Sequence, residues 1–274
     1  MPYIAFASNF LWVMVIGLLG PSIPAIVEDL KITYAQAGLF FTLLSLGSLF
    51  GTSLGAIASD YLNRKLFLSL FTIALGVGLL CLGLAPSFLV ISLVIFLLSL
   101  AGSPIGAIGQ SILLDMFSTK REKYLSMQTF YAALGSFIAP LLISLNLSFK
   151  MSWRWPFIET ALLCGLLCGA ILFSFIPASR ARTAQFRKLS AIIGNPTVIK
   201  TGLLIFFSVG IDLGFSYWLA EYFKTELHVA IRLASASVSL YLIGVISGRF
   251  LVARLLASIE SNQIIIVGLG LALG

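Results

Sequence analysis

Long apolar runs separated by short polar breaks dominate this 274-residue chain. A helix needs about 20 apolar residues to cross the hydrocarbon core of a bilayer. On that measure the pattern predicts eight membrane-spanning helices, and a ninth apolar run begins near 263 and stops at Gly274 before it is long enough to cross. The eight predicted spans are 3–27, 35–59, 65–85, 88–114, 125–147, 154–176, 198–222 and 232–253.

The composition agrees with a lipid environment. Hydrophobic residues make up 59% of the chain, charged residues only 10%, and the mean hydropathy is +1.08, whereas a soluble domain carries about 25% charged residues. We therefore expect an all-α integral membrane protein with the lipid bilayer as its surroundings. The net charge of +7 comes from basic residues in short loops, with no basic stripe interleaved with aromatics, so no nucleic-acid partner is expected.

One long polar stretch, from about Pro177 to Pro196, interrupts the apolar pattern. Its basic residues are Arg180, Arg182, Arg187 and Lys188. The stretch is typical of a linker between two helical blocks. The predicted organisation is a six-helix N-terminal half over 1–176, a cytoplasmic linker over 177–196, and an incomplete C-terminal half over 197–274.

The distribution of positive charge predicts the orientation. Twelve of the 17 lysines and arginines lie in the linker or on the same side of the predicted spans, and five lie on the other side. Because cytoplasmic loops are enriched in Lys and Arg, the N-terminus and the linker are predicted to be cytoplasmic, in the cytoplasmic membrane of the cell.

A weak internal repeat relates the two blocks at an offset of 193 residues. The offset places Gly17 on Gly210, Gly51 on Gly244 and Gly55 on Gly248. Repeated halves are typical of secondary transporters, so the chain is interpreted as a truncated transporter or a short natural variant of one. In the second span, Gly47, Gly51, Gly55 and Ser59 form a small-residue stripe; it predicts close helix packing, either static or as part of a gate.

The cysteines do not suggest a metal site. Cys81, Cys164 and Cys168 all lie in apolar runs, and the only histidine, His228, lies in a loop far along the chain. We expect small, buried, apolar cysteines and no metal or other cofactor. An intramembrane hydrolase would need a nucleophile with a base or metal ligands at membrane depth, so the chain is not expected to be an enzyme.

The loop after the second span reads SDYLNRK (59–65). It resembles the signature that transporters of the major facilitator superfamily carry between their second and third helices. That resemblance implies a cytoplasmic gate formed by Asp60, Arg64 and Lys65, with Arg249 bracing the same gate. Three positions depart from the signature. Tyr61 replaces a basic residue, Asn63, which tolerates the left-handed conformation, replaces the turn glycine, and Gly55 lies one residue too early.

Longer segments are similar to one group of that superfamily, the fucose–hexose–proton symporters. They read VGIDLGFSYWLAEYF (209–223), ASASVSLYLIGVISGRFL (234–251), LLGPSIPAIVEDLKITYAQAGLFF (18–41) and SMQTFYAALGSFIAPLL (126–142). The resemblance implies a facilitator-type bundle with a central cavity between its halves. The fourth span lacks the arginine of many antiporters, and Ala139 replaces a glycine of the antiporter motif; both departures favour uptake over drug efflux.

Asp212 interrupts the apolar run IFFSVGIDLGFSYWLA (205–220). It lies about fourteen residues into its span, on the order of 21 Å deep, where an aspartate costs about 2.5–3.5 kcal/mol to insert. It should therefore face a cavity or a partner, and Ser208 and Ser216 share its helix face. Asp212 is interpreted either as a proton- or substrate-binding carboxylate or as an acid hydrogen-bonded between helices without a transport role.

Amide and aromatic side chains are suited to binding sugars, because they hydrogen-bond hydroxyls and stack on C–H faces. On this reasoning the binding site is predicted to include Asn9, Trp12, Gln110, Gln128, Tyr131 and Trp218. Trp218 could instead anchor the helix at the membrane interface. Glu159 is expected to pair locally with Arg154.

The function predicted from the sequence is secondary active transport of a small polar solute, expected to be a sugar, by alternating access with proton coupling. Its partners would be that solute, protons and the bilayer. Two alternatives stay open: an efflux carrier for a small amphiphilic compound, and a non-transporting truncated remnant.

Overall fold

The computed structural model describes residues 2–61, 63–117, 120–176 and 195–255. Within these ranges all regular structure is helical, as predicted, and eight helices are long and apolar enough to cross a membrane. They are α1 (Pro2–Leu30), α2 (Tyr34–Tyr61), α3 (Arg64–Leu84), α4 (Phe88–Met116), α5 (Arg121–Ser148), α6 (Trp155–Phe173), α7 (Pro196–Thr225) and α8 (Ile231–Leu255). We refer to α1–α6 as the six-helix block and to α7 and α8 as the two-helix block. Most of the predicted linker and the predicted ninth span lie outside the described residues.

The helices begin and end within a few residues of the predicted spans, and the differences have local causes. Helix α7 begins at Pro196 because the Asn195 side chain accepts a hydrogen bond from the backbone nitrogen of Thr197 at 2.9 Å. A capping side chain followed by proline is a favourable helix start. The predicted spans are measured from apolar residues alone, so a capped first turn is left out and the predicted span, 198–222, is shorter than the helix.

Asn63 has a different role from that of a turn glycine. Its φ is −67°, so its backbone is extended rather than left-handed. Its side chain caps α3 by accepting hydrogen bonds from the backbone nitrogens of Lys65 at 3.1 Å and Leu66 at 3.2 Å. The expectation of a left-handed turn was wrong at this position, because an N-cap needs a short acceptor side chain on an extended residue.

Small residues bring α2 and α4 into close contact inside the six-helix block. A Cβ atom placed on Gly47 or Gly51 would lie 2.5 Å from the carbonyl oxygen of Phe96 or Leu100, respectively. At Gly55 it would lie 2.6 Å from the Cα of Pro104. Backbone atoms cannot rotate away, so only glycine fits. The three glycines of the predicted stripe therefore pack within one block, where they fix the position of α4, and the side chain of Ser59 lies outside the described part of the structure.

Loops alternate between the two ends of the bundle. We call the end with the α1–α2, α3–α4, α5–α6 and α7–α8 loops the distal end, and the opposite end, which carries the α2–α3 and α4–α5 loops, the proximal end. At the distal end Arg154 donates to Asp29 at 2.6 Å and Trp153 Nε1 donates to the same carboxylate at 3.1 Å. The expected Arg154–Glu159 pair was wrong, since Glu159 accepts instead from Asn146 Nδ2 at 3.2 Å.

The two blocks touch mainly in their distal halves. On α8, the Ser235 hydroxyl donates to the Pro21 carbonyl at 2.8 Å and the Ser239 hydroxyl to the Phe137 carbonyl at 3.0 Å. On α7, by contrast, every residue in 196–211 is exposed. Among the described residues, helix α7 therefore lies against the six-helix block at one end and stands away from it at the other, so the space between the described parts of the blocks is open towards the proximal end.

Candidate functional site

A cavity of about 210 Å³ lies between the two blocks, among α1, α5, α7 and α8. By the volume that water occupies in the liquid, this is room for about seven waters, so a solute in this space would be small. The described residues that line it are Val13, Ile16, Gly17, Gly20, Ser136, Pro140, Asp212, Leu213, Ser216, Tyr217, Val238 and Leu242.

Asp212 is the only charged side chain among the described residues that line the cavity. It is the seventeenth of the 30 residues of α7, near the middle of a helix about 45 Å long. Its Oδ1 accepts a hydrogen bond from the Tyr241 hydroxyl on α8 at 2.7 Å. A carboxylate at this depth, held by a neutral donor and with no basic group in the described lining, is suited to binding a cation or a hydroxyl-bearing solute.

The remaining polar groups of the lining come from three helices. Ser136 on α5 and Ser216 on α7 contribute hydroxyls, while Tyr217 contributes a largely buried ring and its phenol. The other walls are aliphatic or glycine. A few oriented polar groups in an otherwise apolar enclosure are typical of small-molecule sites.

Aromatic side chains separate the cavity from the distal end. The ring of Tyr217 stacks on Phe41 of α2 with centroids 4.0 Å apart, and Trp218 meets Phe41 edge to face at 5.7 Å. Trp218 also covers Gly38, with a ring carbon 3.8 Å from the position of a Cβ atom. At this level α1 approaches α7 so closely that a Cβ on Gly20 would lie 2.6 Å from the Ser216 carbonyl oxygen.

Of the residues predicted to form the binding site, the structure brings Asp212 and Ser216 to the cavity. Ser208, one turn closer to the proximal end, is exposed and does not line it. The predicted polar stripe is therefore divided, because α7 stands away from the other helices before residue 212.

Three predicted binding residues pack inside the six-helix block instead. The ring of Trp12 lies directly over Gly102 of α4, where a Cβ atom would overlap its carbons. Asn9 Nδ2 donates to the Gln128 backbone oxygen at 3.3 Å, and the Gln128 side chain is buried. The Asn9–Gln128 hydrogen bond joins α1 to α5. None of these three residues lines the cavity.

The other three also lie outside the cavity lining. Tyr131 stacks on Phe6 with centroids 5.1 Å apart in an aromatic cluster between α1 and α5. Gln110 is exposed. Trp218 packs on α2.

The predicted gate residues that are described form contacts at the proximal end. Arg64, only 2% exposed, forms an ion pair with Asp115 of α4 at 2.8 Å and donates to Ser111 at 3.0 Å. Lys65 Nζ donates to the carbonyl oxygen of Leu172 near the end of α6 at 2.8 Å. Both bonds join helices of the six-helix block. The side chains of Asp60 and Arg249 lie outside the described part of the structure.

Sequence reasoning missed several residues that line the cavity, including Ser136, Tyr217 and Val238, and it also missed Tyr241, which contacts Asp212. Ser136 follows Gly135 on α5, and a Cβ on Gly135 would lie 3.0 Å from the Met14 backbone nitrogen. That glycine is the sequence signal for close approach of α1 and α5. Tyr241 carries the one hydroxyl that binds Asp212 among the described contacts, and only the α7–α8 packing reveals it.

The cysteines form no metal site in the described ranges. Cys164 and Cys168 are buried on α6, as expected, but Cys81 is exposed on α3. No group of three or more histidine, cysteine, aspartate or glutamate side chains is placed to hold a metal ion among the residues described.

A multi-pass helical bundle with a carboxylate in a cavity between two blocks is typical of membrane transport proteins. The family model of the Major Facilitator Superfamily matches residues 5–274. The chain belongs to this superfamily, as the resemblance implied, and the family consists of transporters rather than enzymes.

Relatives and solved structures agree with this assignment. The chain is 25% identical over 243 residues to the sodium-dependent glucose transporter 1 of Xenopus laevis, covering 78% of this chain and 49% of that protein. It is 24% identical to the hexuronate transporter of Bacillus subtilis, covering 76% of this chain and 52% of that one. The chain thus spans about half the length of these curated relatives.

A crystal structure of a bacterial homologue of the human lysosomal transporter Spinster, in an inward-facing and occupied conformation, superimposes with a TM-score of 0.75 at 18% identity. The match covers 94% of this chain and 60% of that one. It shows that the fold is shared.

Proposed function

We propose that the protein is a secondary active transporter that carries a small sugar or sugar acid by alternating access, with a proton as the coupling ion at Asp212. The observation that carries this proposal is the position of Asp212. It is an acid in the middle of a membrane helix, it lines the cavity between the blocks, and its partner there is the neutral hydroxyl of Tyr241. Asp212 is half-buried, and a charge at membrane depth without a fixed counter-charge is costly, so a mobile cation would stabilise the site.

The choice of solute rests on the cavity and on the relatives. Hydroxyls of Ser136 and Ser216 and the phenol of Tyr217 can exchange hydrogen bonds with solute hydroxyls, and the Tyr217 ring offers a flat apolar surface. The named substrates of two relatives are glucose and hexuronates. Glucose and glucuronate are therefore the solutes to test first.

Sodium is a second candidate for the coupling ion. The name of the Xenopus laevis relative records sodium dependence, and a carboxylate is an acceptable ligand for either cation. The proton is favoured because the described lining has few oxygen ligands beside Asp212, whereas protonation needs only one carboxylate oxygen.

The organisation and orientation remain part of the proposal. The two blocks correspond to the halves 1–176 and 197–274, joined by a linker over 177–196. The excess of Lys and Arg on one side assigns the proximal end to the cytoplasm of a cell whose cytoplasmic membrane holds the protein. Under that assignment the space between the blocks opens to the cytoplasm.

The test measures uptake of labelled glucose and glucuronate into proteoliposomes under an imposed proton gradient, an imposed sodium gradient, or neither. We expect the proton gradient to stimulate uptake by the unaltered protein and to have no effect on Asp212→Asn. Glu226→Gln, which neutralises an exposed carboxylate just beyond α7, serves as the matched control and should keep the stimulation. Proton stimulation that persists in Asp212→Asn would refute the coupling role of Asp212. Stimulation of uptake by the sodium gradient alone would show that the coupling ion is sodium and not the proton.

A further inference from the structure

The described contacts that hold the distal end of α7 against the six-helix block include three of different kinds. One is the Phe41–Tyr217 ring stack described above. The second is an ion pair between Lys224 Nζ and Glu28 Oε2 at 3.0 Å. The third is a hydrogen bond from the Tyr34 hydroxyl on α2 to Glu221 Oε1 at 3.1 Å. Opening the cavity to the distal side requires α7 to leave α1 and α2, so the strongest of these contacts limits that movement.

The ion pair is the weaker polar contact. Glu28 is 62% exposed and Lys224 24% exposed, so water and salt screen their attraction. Lys224 also donates to the Pro24 carbonyl oxygen at 3.2 Å. An exposed pair of this kind shifts a conformational equilibrium by at most about fivefold.

Glu221 is in a different environment. It is only 5% exposed, its Oε2 has no partner, and among the described residues only Tyr34 donates to its side chain. The Thr225 hydroxyl, one turn further along α7, binds the Glu221 backbone oxygen instead. Tyr34 itself is 52% exposed, so the strength of the bond rests on the burial of its acceptor. A buried carboxylate with a single donor depends strongly on that donor, because losing it leaves the group without a hydrogen bond.

We infer that the Tyr34–Glu221 hydrogen bond is the principal latch that keeps the distal end closed, and that the Glu28–Lys224 ion pair is secondary. The latch joins the first residue of α2 to the penultimate turn of α7, so it breaks when the blocks separate distally. In the open arrangement water would reach Glu221 and replace the Tyr34 hydroxyl. The inference rests on the proposed alternating access. It names the contact that determines what fraction of the molecules is closed at the distal end.

The test uses a reporter cysteine inside the cavity, Leu213→Cys. A membrane-impermeant maleimide is added to right-side-out and to inverted vesicles, and the labelling rate is measured from each side against the parent protein, which carries only Cys81, Cys164 and Cys168. Tyr34→Phe keeps the ring that meets Trp218 and removes only the donor. We expect it to speed labelling from the distal side by roughly 10- to 150-fold.

Three further substitutions isolate the bond. Tyr222→Phe removes a hydroxyl from an exposed tyrosine next to Glu221 and should leave the distal rate unchanged. In a Glu221→Ala background, Tyr34→Phe should no longer speed labelling, because the interaction it removes is already absent. Lys224→Gln should change the rate by no more than about fivefold.

The inference is overturned if Tyr34→Phe leaves the distal rate unchanged, if it has the same effect with and without Glu221, or if Lys224→Gln has the larger effect. A single symmetric elution peak, together with labelling from the proximal side that does not rise, establishes that each variant folds. The readout needs no transported solute, so a failure of the proposed sugar transport would leave it interpretable.

Discussion

Adding one methyl group at Gly20 should force α1 and α7 apart. A Cβ atom at this position would lie 2.6 Å from the Ser216 carbonyl oxygen and 2.9 Å from the Cα of Tyr217. Favourable heavy-atom contacts lie at about 3.5–4.0 Å, so the helices must separate by about 1 Å. Because both obstructing atoms belong to the backbone, no change of rotamer relieves the overlap.

The magnitude follows from comparing Gly20→Ala with a matched glycine. Gly210 is exposed in the middle of α7, and no atom of the described chain lies within 4 Å of a Cβ placed there. Both substitutions gain about 1 kcal/mol from the helix propensity of alanine, and only Gly20→Ala incurs the overpacking cost of about 1–3 kcal/mol. At roughly 2–4 °C per kcal/mol, its melting temperature should fall about 2–12 °C below that of Gly210→Ala.

Thermal unfolding in detergent, followed by tryptophan fluorescence, measures this difference. The same separation should speed distal labelling of the Leu213→Cys reporter, since the distal contact is weakened. Equal melting temperatures for the two variants would refute the reasoning, because they would mean that α1 and α7 do not approach each other at Gly20.

Two further substitutions test the cavity. Tyr241→Phe removes the one described donor to the Asp212 carboxylate, so the carboxylate should be held less firmly and proton-gradient stimulation of uptake should fall about 2- to 12-fold; unchanged stimulation would contradict the contact. Ser216→Ala should weaken the apparent affinity for solute about 2- to 12-fold while Ser208→Ala leaves it unchanged, and equal effects in concentration-dependent uptake would contradict the assigned lining.

The helices could be predicted from the sequence because lipid leaves the backbone few choices. Backbone groups in the hydrocarbon core must bond within the helix, so the length of each apolar run gives each span. The N-cap at Asn63 was missed because motif comparison treats that position as a turn, whereas its role depends on the extended backbone observed there.

The candidate site could be predicted only in part. Asp212 was found because its cost in lipid is a property of its depth alone. Asn9, Trp12 and Gln128 have suitable chemistry for a sugar site, yet they join α1 to α4 and α5. Residue type and depth do not reveal which face of a helix meets a cavity and which meets a neighbour, because that depends on how the helices cross.

The glycine repeat also shows that sequence position alone does not reveal which neighbour a residue contacts. Gly51 and Gly244 correspond at the 193-residue offset, yet a Cβ on Gly51 would lie 2.5 Å from a backbone oxygen, while Gly244 is exposed with no described atom within 4 Å. A sequence repeat records equivalent positions on equivalent helices, whereas the contact at each position depends on which helix lies opposite. The charge at Asp212 needs no such neighbour to be informative, since its cost in lipid exists before any helix packs against it. For that reason the acid in α7 predicts a cavity more reliably than any of the polar or small residues around it.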